Sequence, residues 1–150
     1  MAVQPKLKDF PRIRRAVTFY RVASIITGVL LLLLCTEMIL KYTPIGLELE
    51  LGGAQGFLAL VPVGTVTAVN LSTGVLIVHG WFYVVYLASD IHLWSLMRWP
   101  FTRFVLIALG GVIPFLSFFL EARIAREVTA YLAEREAQAA ADQQSVEAAH

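Results

Sequence analysis

Two long stretches of this chain carry almost no charge: Val22–Leu40 contains only Glu37, and Phe104–Leu120 contains no charged residue at all. Each is about the length that crosses the hydrocarbon core of a bilayer. A soluble fold of 150 residues has little interior in which to hide both, and the composition agrees: 58% of residues are hydrophobic, 15% are charged, and the mean hydropathy is +0.71. A soluble domain needs about a quarter of its residues charged. The sequence therefore predicts an integral, all-α membrane protein forming one compact membrane domain, with no room for a separate soluble catalytic domain.

The basic flank Met1–Arg21 holds Lys6, Lys8, Arg12, Arg14, Arg15 and Arg21 against one acid, Asp9. The apolar run behind it is longer than a signal peptide's and lacks a small-residue cleavage site, so it reads as a retained anchor with a cytoplasmic N-terminus that touches anionic lipid. Spans are expected at about residues 22–40, 73–90 and 102–120. The segment Gly56–Val69, short and broken by Pro62 and Gly64, reads as interfacial or re-entrant rather than as a fourth crossing. A Pro kink is expected near Ile113, from Pro114. Residues 123–150 read as a helical extension of the last span that gives way to a disordered tail from Ala137. Three crossings would place eight Lys and Arg inside against four outside, and four crossings nine against three, so charge alone does not decide between them.

Polar groups within spans are costly and tend to face the bundle. His79, Tyr83, Tyr86 and Asp90 share one face of the second span, and Arg103, Gly110, Pro114, Ser117 and Glu121 share one face of the third. If adjacent spans run antiparallel, Asp90 lies near Arg103, and His79 lies near Glu121 and Glu37. Two readings follow. His79, Glu37 and Glu121, with Tyr83 and Tyr86, form an intramembrane site that binds or exchanges a proton or ligand; or these groups are hydrogen-bonding glue between helices, with Glu37 paired to Lys41 at i+4. Asp90 and Arg103 are expected as an interfacial pair.

No nucleotide loop, nucleophile elbow or His-Glu-x-x-His is present, and no catalytic residue is assigned. The lone Cys35 and the scattered histidines offer no metal-ligand spacing, so no metal or cofactor is expected. The formal net charge of +1 excludes a basic nucleic-acid binder.

The block His79-Gly80-Trp81-Phe82-Tyr83-Val84-Val85-Tyr86-Leu87, with Tyr20-Arg21-Val22, Trp99-Pro100, Ile113-Pro114 and Phe119-Leu120-Glu121-Ala122-Arg123, resembles a bacterial, often actinobacterial, membrane family known as domain of unknown function 3817. The resemblance covers about Phe19–Glu127 and implies three membrane helices without an assigned reaction. The expected function is that of a non-enzymatic accessory or scaffold subunit in the plasma membrane, whose partners are lipids and a larger assembly or further copies of itself. The alternative is an oligomeric transport or sensing module built on the His/Glu site.

Overall fold

The computed structural model describes residues 4–149. A short 3-10 turn leads into helix α1, Phe10–Tyr42, which has Pro11 in its first turn, where a missing N–H costs nothing. α1 stops because Thr43 precedes Pro44 and is held extended. Three strands follow: β1 (Leu47–Gly53), β2 (Gly56–Pro62) and β3 (Val69–Asn70), all antiparallel in the order β2-β1-β3. Helix α2, Leu71–Met97, starts at Asn70, whose side chain accepts a hydrogen bond from the Thr73 amide at 2.9 Å. It ends at Arg98, which takes the left-handed conformation (φ 54°) that glycine usually fills and that costs another residue roughly 1–2 kcal/mol. Helices α3 (Phe101–Leu109) and α4 (Leu116–Ala148) complete the chain.

α1 and α2 run antiparallel between the sheet and the opposite end of the molecule. Among the described residues they are the two helices long and apolar enough to cross a bilayer. Their most apolar windows are only 33% and 17% buried within the protein, so most of that apolar surface faces outward.

The expected third span is not one helix. The chain reverses at Gly110–Phe115, so that α4 descends beside the first half of α1, with Ser24 donating to the Ser117 carbonyl, Arg21 meeting Glu121 and Arg14 meeting Glu136. The reason is local. Pro114 removes a helical N–H and its ring would clash one turn back, and two consecutive glycines precede it. What the sequence presents as a kink is a full turn, completed by Phe115 at φ 67°. Both chain ends therefore lie at the end of the bundle away from the sheet.

Two further expectations are corrected. The segment 56–69 is neither a re-entrant helix nor a crossing: its first half is β2, tied to β1 through a two-residue connection between Gly53 and Gly56. The fold is thus helical with a small sheet, not purely all-α. The stretch expected to be disordered from Ala137 continues as α4 to Ala148, although it packs against nothing.

The core lies in the half of the bundle away from the sheet, where Ile13, Tyr20, Tyr86, Leu93, Ile107 and Val128 are sealed from solvent. Nearer the sheet only α1 and α2 remain, and Leu33, Leu76, Ile77 and Trp81 are exposed.

Candidate functional site

Tyr83 and Tyr86, expected as part of a titrating site, hold the reversal of the chain. The last carbonyls of α3 accept from the Gly110 and Gly111 amides in the turn, and each takes a second bond across the bundle: the Tyr86 hydroxyl donates to the Ile107 carbonyl at 2.5 Å and the Tyr83 hydroxyl to the Ala108 carbonyl at 3.3 Å. The bare backbones of Gly110 and Gly111 let these rings come close: a Cβ on Gly111 would lie 3.1 Å from Tyr86, and one on Gly110 only 2.9 Å from the Tyr86 hydroxyl. Gly28 of α1 does the same for α4, since a Cβ there would meet Phe118 at 2.9 Å.

His79 stacks on Tyr83 with ring centroids 6.3 Å apart, Tyr83 on Tyr86 at 6.2 Å, and Tyr86 leans against Tyr20 at 5.9 Å. A ladder of rings thus runs along the α1/α2 seam. The His79 Nδ1 is buried without a hydrogen-bond partner.

The three groups expected to meet near the sheet end are not brought together. Glu37 takes a short hydrogen bond from the Ser72 hydroxyl, which in turn accepts from the Leu49 amide at 3.1 Å, so this carboxylate joins α1, α2 and β1. It does not pair with Lys41, which reaches Glu48 instead at 2.6 Å. Glu121 lies on the other side of His79, bound by Arg21 at 2.5 Å, because the reversal of α4 carries it toward the chain ends. The expected Asp90–Arg103 pair is absent. Arg103 is engaged by Glu127 and lies over the Trp99 ring, 4.1 Å from its centroid, while both Asp90 carboxyl oxygens are buried without a partner.

A second polar cluster, at the sheet, has no counterpart in the expected site. Glu48 and Glu50 are 3% and 2% exposed. Glu50 accepts from the Thr67 and Ala68 amides at 2.5 and 2.8 Å and from the Thr67 hydroxyl at 2.9 Å. Glu48 accepts from Lys41 and from the Gly64 amide at 3.1 Å. The Lys41 ammonium holds the Glu48 carboxyl below its ordinary range, and the Thr67 and Ala68 amides do the same for Glu50. The alternation Leu47-Glu48-Leu49-Glu50-Leu51 is the signal that could have revealed this strand. Its polarity is inverted: the acids point inward because the loop 63–68 needs their oxygens. Among the described residues no group of three metal-ligating side chains converges.

Two largely uncovered apolar helices, long enough to cross a bilayer, closed at one end by a small sheet and wedged at the other by a helical hairpin that tyrosines hold, make up this mostly helical protein. The chain belongs to the family described as Domain of unknown function (DUF3817), whose model matches residues 17–126. It is 29% identical over 119 residues to an uncharacterized protein of Mycobacterium tuberculosis and, at the same identity, to one of Mycobacterium bovis, covering 79% of this chain and 81% of each relative. An uncharacterized protein of Mycobacterium leprae is 26% identical over 113 residues, 75% of either chain. No solved structure matches the chain significantly. The matched range contains the ring ladder and the reversal, and leaves out the exposed end of α4.

Proposed function

We propose that this is a plasma-membrane protein that crosses the bilayer twice, with both termini in the cytoplasm, and serves as a non-enzymatic accessory or scaffold subunit of a larger membrane assembly. The topology rests on charge: with the hairpin folded back, eleven of the chain's 12 Lys and Arg lie on the side of the chain ends and Lys41 alone lies beside the sheet. That asymmetry exceeds either arrangement counted from three or four crossings, and it supports chain ends on the cytoplasmic side.

The observation that carries the scaffold reading is the height of the hairpin. It stops level with Tyr83 and Tyr86, so α2 above it is left with an open face: Leu76, Ile77 and Trp81 are exposed and Gly80 has no atom near the place of a Cβ. A small-residue notch beside large apolar groups suits close approach by another helix. The test is a photo-crosslinking residue at Trp81 in native membranes, followed by purification in mild detergent. A discrete adduct with a different protein supports the reading; no protein adduct, together with a monomeric pure protein, overturns it.

A second reading, an oligomeric sensing or transport module, is favoured by the ladder from His79 to Tyr20, with the unpartnered Asp90 beyond it. Here an adduct with a second copy is the expected result, and His79→Gln should leave the protein stable but abolish whatever phenotype deletion of the gene produces. A stable His79→Gln protein that complements fully removes this reading.

A further inference from the structure

The sheet is built inside out. Residues directly opposite one another on paired strands share a face, so the register Glu48↔Val61 and Glu50↔Ala59 puts both acids on one face, while Leu49↔Leu60, Leu51↔Leu58 and Leu51↔Val69 put an all-apolar set on the other. An antiparallel sheet with one face in water turns its polar residues outward. Here the acid face is the covered one, closed by amides of the chain's own loop 63–68, whereas Leu58 and Leu60 are 56% and 50% exposed and Val69 lies exposed with them.

The sheet is also tied to the level at which the two apolar helices end. Four residues separate α1 from β1, and β3 passes directly into α2. Lys41 and the exposed Tyr42 mark that level, a cation and an aromatic ring of the kind that sits among lipid headgroups. The apolar surface does not stop where α1 stops, since Ile39 and Ile45 on either side of its end are exposed. No free charge interrupts it. Between Leu51 and Ser89 there is no Asp, Glu, Lys or Arg, and the charged groups at this end are already bound, Lys41 by Glu48 and Glu50 by the Thr67 and Ala68 amides. An exposed apolar patch of this kind marks an interaction surface, and its continuity with the uncovered helices makes the occupant lipid.

We propose that the sheet lies on the membrane: given the reading that α1 and α2 cross the bilayer, the face formed by Leu49, Leu51, Leu58, Leu60 and Val69 rests on the acyl chains of the leaflet at that end, with loop 63–68 toward water. The free edge of β2 limits its depth. β2 pairs with β1 alone, so its outer edge has backbone N–H and C=O groups that need water or headgroups.

The test is spin labelling of the full chain carrying Cys35→Ser, in vesicles of phosphatidylcholine and phosphatidylglycerol. Single labels go on Leu58→Cys, Leu60→Cys and Val69→Cys on the leucine face, on Gln55→Cys and Thr65→Cys away from it, and on Val29→Cys within α1; all of these positions are exposed, so the labels require no repacking. Collisions with oxygen, which concentrates in lipid, should outweigh collisions with a water-soluble nickel chelate on the leucine face, and the ratio there should be several-fold that at Gln55 and Thr65. Nickel reaching Leu58 and Leu60 while Val29 stays in lipid would put the face in water and overturn the proposal, leaving the two crossings intact. Labels on the face that neither reagent reaches would overturn it as well, by showing protein there, and dipolar broadening between them would identify that protein as a second copy. Nickel reaching Val29 would remove the crossings, and this proposal with them.

Discussion

Asp90 sits fully buried with no donor on either oxygen, in a molecule where Glu37, Glu48, Glu50 and Glu121 each have one. Such a group is expensive to keep, and replacing it should be favourable. Asp90→Asn is expected to raise stability in detergent by roughly 1 kcal/mol, read from thermal or denaturant unfolding; a loss of similar size would mean that the carboxyl has a partner in the working protein. The sheet carboxylates behave oppositely. Glu48 and Glu50 are held below their ordinary range, so their contribution is complete above the unfolded carboxylate range, about pH 4 to 5, and is lost as pH falls through the lower folded values. Hydrogen-exchange protection of the Thr67 and Ala68 amides, taken relative to the intrinsic rate at each pH, should therefore fall in acid before the bundle loosens, and Glu50→Gln should show the lowered protection already at neutral pH. Of these residues the sequence revealed Asp90, His79 and Glu37 as polar groups in apolar surroundings. It could not show that Ser72 meets Glu37, Lys41 meets Glu48 and Arg21 meets Glu121, since these partners come together through folding rather than through spacing.

The reversal at Gly110–Phe115 decides the positions of α3 and α4, and its strength lies in close backbone approach. Gly28→Val should separate α1 from α4 and cost about 1–3 kcal/mol, with Ser24 losing its bond to the Ser117 carbonyl. Tyr86→Phe should cost about 1 kcal/mol by removing one of the two bonds on the Ile107 carbonyl, which keeps the Gly110 amide. The ion pair that stitches the hairpin is testable too. Reversal at Arg103 should be rescued by reversal at Glu127, with a coupling of about 1 kcal/mol because both groups are about a third exposed, whereas reversal at Asp90 should give no rescue. An uncharged run of span length, broken by Gly110, Gly111 and Pro114, is compatible with a kinked crossing as well as with a hairpin. What separates the two is the tyrosine bonds and the glycine contacts made with other helices, and none of these is visible along the run itself.

For the whole molecule, α1 is about 50 Å long, well beyond the hydrocarbon thickness of a bilayer, and its first turns run alongside α4. With Cys35 replaced, a cysteine placed at Ala140 should react with an impermeant maleimide only after cell lysis, and one at Gln55 in the β1–β2 connection should react from outside intact cells. Labelling of Ala140Cys in intact cells would restore a third crossing. Charge depletion in the sequence located the two helices that are apolar enough to cross a bilayer, and wrongly added a third. The sequence did not identify the sheet, because inward-facing acids invert the polarity of the alternation at Leu47–Leu51, and Lys and Arg can be assigned to the two ends of the bundle only after the fold is known.

The hairpin tip also governs how the chain is made. In the proposed two-crossing topology, the single stretch that must be carried across the membrane is residues 41–70, whose only charges are Lys41, Glu48 and Glu50. Nothing after α2 needs the translocation machinery. The hairpin can slide into place once α1 and α2 have been inserted, drawn in by the fit of Gly110 and Gly111 against the tyrosines. The absence of charge throughout Phe104–Leu120 then acquires a biosynthetic meaning: both limbs of a loop pushed into hydrocarbon must be free of it.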